Sequence, residues 1–222
     1  GSIVWLSHNE DLIPGMVGGL FLETLGHDES LTLQHSFMPG SQADRCISSA
    51  LPDFDPGCRF GDYRRVVDND ERQFNSPGVR VPMLSLSRVM PDKTDAEWPF
   101  HEYHSNLDTP AIIKDGQLDR SVDTVMGLIQ AWERNQYPVN QFKGEVFCSG
   151  NKIWIDHQVN PQGHRRLFEI MERCDGSRTV ADIASELAIT FNSVWEVISL
   201  LADRKLISFS RQKNPTNPVR GF

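Results

Sequence analysis

The tract Trp98–Pro110, WPFHEYHSNLDTP, concentrates side chains that could do chemistry. It holds His101, Glu102, His104 and Asp108 between two prolines. Imidazole nitrogens and carboxylate oxygens are the groups that bind zinc in proteins. The two histidines lie one residue too close for the zinc helix HExxH, and the proline before them argues against a helix. We therefore expect a loop, which is either part of a metal site or a polar surface.

A second tract, DERQFNSPG, runs from Asp70 to Gly78 and mixes charged, amide and turn residues. Arg72 could bind a carboxylate or an oxyanion through two parallel hydrogen bonds, with Asp70 or Glu71 orienting it. The alternative is a solvated turn, because charged clusters are often only solvated. These three residues are the predicted catalytic groups.

Short apolar runs punctuated by glycine and turn residues predict the strands of an α/β sheet. A short helix is predicted within residues 40–50, and an amphipathic helix over 115–136. Its apolar residues recur at spacings of three and four, so we expect this face to cover the sheet. They are Leu118, Val122, Val125, Met126, Ile129 and Trp132. The predicted strands lie in residues 2–7, 17–26, 30–37, 65–67 and 79–89.

The pattern changes after residue 143. We predict a linker hairpin over 144–159 that turns at Ser149–Asn151, and a flexible tail over 214–222. Between them, three helices over 165–174, 179–187 and 192–204 precede a strand over 206–210, which is the order of a small winged helix-turn-helix domain. Thr179 with Asp182 is close to a capping box at the start of the second helix. The predicted domains are therefore 1–143 and 160–213.

Composition argues against two classes of partner. The formal net charge is −8, and no apolar run approaches the roughly 20 residues of a membrane span. Residues 163–213 hold eight Lys or Arg against seven Asp or Glu, a net of +1, so we expect no nucleic-acid binding. The four cysteines form no CxxC pair, which predicts reduced thiols and a cytoplasmic protein.

The sequence resembles the co-catalytic zinc aminopeptidases of the M28 type. In that family a loop carries YHS or YHT followed by an Asp-Thr pair, and a strand ends in an acidic ligand shortly before a glycine. Tyr103, His104, Asp108 and Thr109 match the loop, and LETLG places Glu23 at the ligand position. The tract DERQFNSPG further resembles a signature of the aminopeptidase-like DUF4910 proteins, and that resemblance covers essentially the whole chain.

The resemblance implies that His104 and Glu23 bind zinc, with Tyr103 and Asp108 supporting His104. The other ligands and the general base of the family would precede this sequence, so the chain alone is expected to be inactive. The implied fold is part of a zinc-aminopeptidase-like α/β/α domain, followed by the winged helix.

Two functions remain open. The first is a zinc-dependent aminopeptidase-like hydrolase that acts on a peptide or on a small amide. The alternative is a catalytically silent binding or regulatory protein whose winged helix docks a partner. That partner would be another protein or a second copy of the chain.

Overall fold

A computed structural model describes residues 1–89 and 98–213 of the chain. The chain divides into two compact units, Gly1–Gln130 and Ala131–Phe222, which are described separately below. The predicted tail over 214–222 lies outside the described residues. Among the described helices, none combines the length and the apolar character that a membrane crossing requires.

The first unit contains a mixed four-stranded sheet with the order β1-β4-β2-β3. β1 runs parallel to β4 and β2 parallel to β3, whereas β2 and β4 are antiparallel. The sheet confirms the predicted α/β class. Three of the predicted strand regions each contain one of its strands. The strands are β1 (Gly19–Glu23), β2 (Thr32–Gln34), β3 (Arg59–Gly61) and β4 (Met83–Ser87).

The two faces of this sheet differ in polarity, because side chains alternate along each strand. One face carries Leu33, Leu84 and Leu86, all fully buried. The other carries Gln34 opposite Ser85, and Glu23 opposite Ser87. A buried polar face is unusual and needs hydrogen-bonding partners from the segments that cover it.

The helices that begin in the first unit are short except for the last, which ends four residues into the second unit. The predicted helix within residues 40–50 forms, and its first turn is capped by Ser41, whose hydroxyl accepts a hydrogen bond from the Asp44 N–H. The helices are α1 (Ser2–His8), α2 (Gln42–Ala50), α3 (Glu71–Asn75) and α4 (Gln117–Arg134).

The strand predicted at residues 2–7 is wrong, because this segment forms α1. The Trp5 N–H donates to the carbonyl oxygen of Gly1 at 3.1 Å, which closes a helical turn. Leu6 is the buried residue of this helix, and its apolar neighbours Ile3 and Val4 are exposed. A short run that is apolar on all sides does not distinguish a strand from a helix.

The strand predicted at residues 65–67 is also wrong. The backbone N–H groups of Val66 and Val67 both donate to the side-chain oxygen of Gln34, each at 2.9 Å. A side chain therefore replaces the strand ladder as the partner of this backbone. The neighbouring strand is β3, which ends at Gly61.

The helix α4 buries a different face from the predicted one. Gln117, Ser121, Thr124 and Leu128 are buried, whereas Leu118, Val122, Met126 and Ile129 are exposed. Small residues on the buried face of α4 allow this face to approach its neighbours in the first unit closely. The Ser121 hydroxyl donates to the Leu25 carbonyl at 2.9 Å, and a Cβ at Gly127 would lie 2.2 Å from the Phe54 ring.

Over residues 135–213, the second unit contains three helices and a two-stranded antiparallel sheet. The capping box of Thr179 and Asp182 is confirmed at the start of α6. The first helix begins earlier than predicted because Asn160 caps it, accepting a hydrogen bond from the Gly163 N–H at 2.8 Å. The elements are β5 (Tyr137–Asn140), α5 (Pro161–Met171), α6 (Val180–Leu187), α7 (Phe191–Asp203) and β6 (Ile207–Ser210).

Residues 144–159 form a turn without the paired strands of the predicted hairpin. The Ile153 N–H donates to the Cys148 carbonyl at 3.0 Å, and the Asn151 N–H donates to the Phe147 carbonyl at 3.1 Å. These bonds close a turn but build no ladder. The predicted C-terminal strand does form, as β6, and it pairs with β5.

The burial pattern of α4 predicts the effects of two matched truncations. Leu128→Ala should lower the free energy of unfolding by about 2–5 kcal/mol, because Leu128 is fully buried. Met126→Ala, in the same helix but half exposed, should change it by less than about 0.5–1 kcal/mol. Urea unfolding measures both. Equal losses in the free energy of unfolding would mean that α4 packs through the predicted apolar face.

Candidate functional site

The candidate site lies at the carboxyl ends of β1 and β4. Glu23 is the last residue of β1, and Ser87, its neighbour across the ladder, is the last residue of β4. Because these strands are parallel, the segments that follow them leave the same edge of the sheet. In open α/β sheets this edge is where ligands bind. The segment that follows β4 includes His104.

Glu23 is linked to the DERQFNSPG tract through Asn69, the residue just before it. The Asn69 side-chain amide donates from Nδ2 to Oε2 of Glu23 at 3.1 Å. The Asn69 backbone N–H donates to both carboxylate oxygens of Glu71, at 3.0 and 2.9 Å. Two predicted site residues, Glu23 and Glu71, are therefore brought together by a residue to which the sequence analysis gave no role.

Glu71 is a fully buried carboxylate at the start of α3. Burial raises the pKa of its carboxyl above the usual value, and the hydrogen bonds from the Asn69 N–H offset this only in part. Gln34 of β2 approaches it, with Nε2 at 3.5 Å from Oε1. The carboxylate therefore packs against the polar face of the sheet and is held by amides.

Asp70 and Arg72, the other predicted catalytic residues, are placed differently. Asp70 is exposed and accepts a hydrogen bond from the Ser2 hydroxyl. Arg72 is half-buried, and its Nε donates to the Asn69 carbonyl oxygen at 2.9 Å. The guanidinium thus braces the turn that carries Asn69.

His104 lies in a turn that brings several aromatic rings together. Its ring stacks on the Tyr103 ring with centroids 3.8 Å apart and planes 17° apart. Tyr103 in turn meets Phe100 edge-on at 5.4 Å. The backbone φ of His104 is +55°, in the left-handed region, so the tract forms turns as predicted and no helix. Both Tyr103 and His104 are exposed.

Tyr103 contacts His104 as expected, but Asp108 does not. Asp108 is exposed, and its backbone N–H donates to the Ser105 carbonyl at 3.3 Å. No hydrogen bond or ion pair joins its carboxylate to His104 within the described chain. The support predicted from Asp108 is therefore absent from this arrangement.

The fit of these groups to a metal can be tested on their placement. Glu23 is joined to Asn69, and His104 is stacked on Tyr103. Across residues 1–89 and 98–213, no group of three or more His, Cys, Asp or Glu side chains is arranged to hold a metal ion. The described residues by themselves do not form a metal centre.

A cleft of about 520 Å³ lies among the loops that follow β1 and β4. The loop after β1 contributes His27, Asp28 and Glu29, and the loop after β4 contributes Phe100 and His101. His27 stacks on Phe100 with centroids 5.1 Å apart. The sequence analysis did not single out His27, and it named His101 only as part of the tract Trp98–Pro110, without assigning it as a ligand. Their positions after the carboxyl ends of two parallel strands are the signal that could have indicated this cleft.

The first unit is an α/β domain built on a mixed sheet, and the acidic residue Glu23 lies at the carboxyl end of its strand β1. The family model described as "Domain of unknown function (DUF4910)" matches residues 1–135, which is more than half of the chain. The chain belongs to this family.

Two relatives from Clostridium acetobutylicum extend the comparison. One is named "Putative polysaccharide biosynthesis protein with aminopeptidase-like domain", and it is 26% identical over 205 residues, covering 87% of this chain and 44% of the relative. The other is the crystal structure of a "putative peptidase". It shares the fold with a TM-score of 0.76 at 22% identity, covering 95% of this chain and 46% of that chain. The chain thus spans less than half the length of either relative.

Asn75, the last residue of α3, gives a test of how firmly the tract DERQFNSPG is held. It is almost fully buried. Its Nδ2 donates to the carbonyls of Glu71 and Met83 at 2.9 and 2.8 Å, and its Oδ1 accepts from the Phe37 N–H at 3.0 Å. Asn75→Ala leaves these groups unpaired, so we expect a loss of about 2–4 kcal/mol in the free energy of unfolding.

The matched control is Gln73→Ala, which removes a half-buried amide from the same helix. It should cost less than about 1 kcal/mol in urea unfolding. If Asn75→Ala costs no more than this control, the hydrogen bonds of Asn75 do not hold the segment.

Proposed function

We propose that this chain is part of a zinc-dependent aminopeptidase-like hydrolase that cleaves a peptide or a small-molecule amide. The observation that carries the proposal is the carboxylate of Glu23, which is hydrogen-bonded by Asn69 and lies at the carboxyl end of β1. β1 runs parallel to β4, and His104 belongs to the segment that follows β4. The names of the relatives, which refer to a peptidase and an aminopeptidase-like domain, support the reaction class.

Glu23 and His104 are the proposed zinc ligands of this chain. Zinc in such hydrolases polarises the scissile carbonyl and lowers the pKa of a bound water. A site of this kind needs at least three protein ligands, and the described residues bring no such set together. The proposal therefore requires further ligands and a general base from residues outside this sequence. The greater length of the relatives is compatible with this requirement.

The cleft between the loops after β1 and β4 is the proposed place for the substrate. Phe100 and Leu107 supply apolar wall, and Asp28, Glu29 and Glu102 supply carboxylates. Carboxylates of this kind could bind the free amino group of a peptide, because an ammonium donates three hydrogen bonds. The chain's own residues would thus bind and orient the substrate beside the proposed ligands.

We propose that the second unit is a winged helix that docks a protein partner. Its three helices followed by the strand β6 support this interpretation, and its near-neutral charge argues against nucleic acid. Trp195 of α7 is engaged within the unit, since it stacks on Phe209 at 5.5 Å and lies under Arg134 at 5.2 Å. Leu200, which is exposed on the same helix, is the better anchor for a partner.

Metal analysis distinguishes the hydrolase from a silent binding protein. The full-length protein of the gene that encodes this sequence should retain stoichiometric zinc when purified without chelator, and should hydrolyse aminoacyl anilides. His104→Ala and Glu23→Ala should each reduce the rate by more than about 100-fold, beyond the 10–100-fold effect of a residue that only supports a ligand. His157→Ala, an exposed histidine of the second unit, is the control and should have no effect.

The 222-residue chain should show neither stoichiometric zinc nor hydrolysis. A full-length protein without zinc would favour the silent binding protein. If the chain alone binds two zinc ions and turns over these substrates, its zinc ligands must include residues other than Glu23 and His104. His101, Asp70 and Glu71 are then the first to replace.

A further inference from the structure

Asn69 occupies an unusual position between two carboxylates that are far apart in the sequence. Its side chain donates to Oε2 of Glu23 at 3.1 Å, and its backbone N–H donates to both oxygens of Glu71 at 3.0 and 2.9 Å. One residue therefore bonds the end of β1 through its side chain and the start of α3 through its backbone. Through Asn69, the end of β1 is thus joined to the start of α3.

The residues at the two ends of this hydrogen-bonded link differ in burial. Glu71 is fully buried, whereas Asn69 is exposed and Glu23 is half-buried. An exposed amide normally samples several rotamers, and fixing it costs conformational entropy. On the buried side, Glu71 holds Asn69 through the Asn69 backbone N–H, and the Nε of Arg72 donates to the Asn69 carbonyl oxygen.

Glu71 is itself held on several sides. Its carbonyl oxygen accepts from Asn75 at 2.9 Å, and Gln34 approaches its carboxylate at 3.5 Å. Asn75 is bonded in turn to the Met83 carbonyl of β4. Hydrogen bonds and contacts that involve β2, α3 and β4 thus hold Glu71, and Glu71 in turn holds the backbone of Asn69.

We infer that Asn69 is a positioning residue for the Glu23 carboxylate, with Glu71 as its buried anchor. This assigns Glu71 a structural role in place of the predicted catalytic one. A carboxylate with one oxygen bonded to an amide has a restricted orientation, and such support is what a metal-binding carboxylate needs. The inference rests on the proposed function only in taking Glu23 to be a ligand.

The hydrogen bond itself is tested on this chain, without any metal. A double-mutant cycle of Asn69→Ala and Glu23→Ala should show about a fivefold non-additivity in the unfolding equilibrium constant, because residues in direct contact couple. A cycle of Gln73→Ala with Glu23→Ala is the control and should be additive. Additivity in the Asn69 cycle would overturn the inference.

A second measurement does not depend on unfolding. In the NMR spectrum of the folded chain, the side-chain amide protons of Asn69 should shift on Glu23→Ala. The Asn69 backbone amide should shift on Glu71→Gln, which replaces one carboxylate oxygen of the acceptor. Asn69 signals that are insensitive to both changes would contradict the link.

The positioning role is tested by zinc affinity in the full-length protein, through competition with a chromophoric chelator. Asn69→Ala should weaken zinc binding by about 10–100-fold, the range for residues that orient a ligand. Asn69→Gln, which keeps an amide donor, should restore part of the affinity, whereas Asn69→Asp should not. Unchanged affinity in Asn69→Ala would overturn the positioning role.

The two proposals fail in different ways. A full-length wild-type protein that binds no zinc would refute the proposed function, while the coupling cycle and the NMR shifts would still decide whether Asn69 orients Glu23. Zinc binding by the wild type that Asn69→Ala leaves intact would refute the positioning role and leave the hydrolase standing.

Discussion

A carboxylate with no exposed surface costs several kcal/mol unless its environment compensates it, and Glu71 is such a group. The compensation comes from the Asn69 N–H and from the approach of Gln34. Gln34 also accepts from the backbone of Val66 and Val67, so the same amide holds the segment that leads into α3. Through Gln34 and Asn69, the buried carboxyl group of Glu71 is thus tied to the segment that covers the polar face of the sheet.

The polar face of the sheet also lowers stability through buried hydroxyl groups, and this cost bears on where the functional site lies. The hydroxyls of Ser85 and Ser87 are buried and have no hydrogen-bond partner among the described residues. Leucines at these positions, like those on the opposite face, would give a more stable sheet by the usual account of buried polar groups. Proteins keep such unfavourable groups mainly at functional sites. The polar face thus supports the same location for the site as the end of β1 does.

The sequence predicts those features of this fold that depend on local chemistry. The capping box at Thr179, the helix after Ser41 and three strands with alternating or glycine-punctuated patterns form as expected. The predictions that are wrong concern segments whose conformation depends on contacts with residues far away in the sequence. Val66 and Val67 have strand-like side chains, but their backbone is bound by Gln34, which lies more than thirty residues earlier.

The same reasoning explains α4 and Asn69. Periodicity gave the helix but not which face packs, because small residues such as Ser121 and Gly127 approach more closely than the apolar stripe does. Asn69 has no motif around its own position that marks it. Its role depends on a contact with Glu23, 46 residues away in sequence, and such contacts are visible only in the structure.

Because Glu23 lies at the end of an edge strand, its carboxylate needs a contact outside the strand ladder to be held in place. Within the described residues β1 is an edge strand, so its ladder is formed on one side only, with β4. Strand ends at an edge have fewer restraints than central strands, whereas a ligand must be held within about 0.5 Å of its working geometry. The register with Ser87 fixes the backbone of Glu23, and only a side-chain contact can fix its carboxylate. The exposed Asn69 supplies such a contact, and its own backbone N–H is held by the buried Glu71.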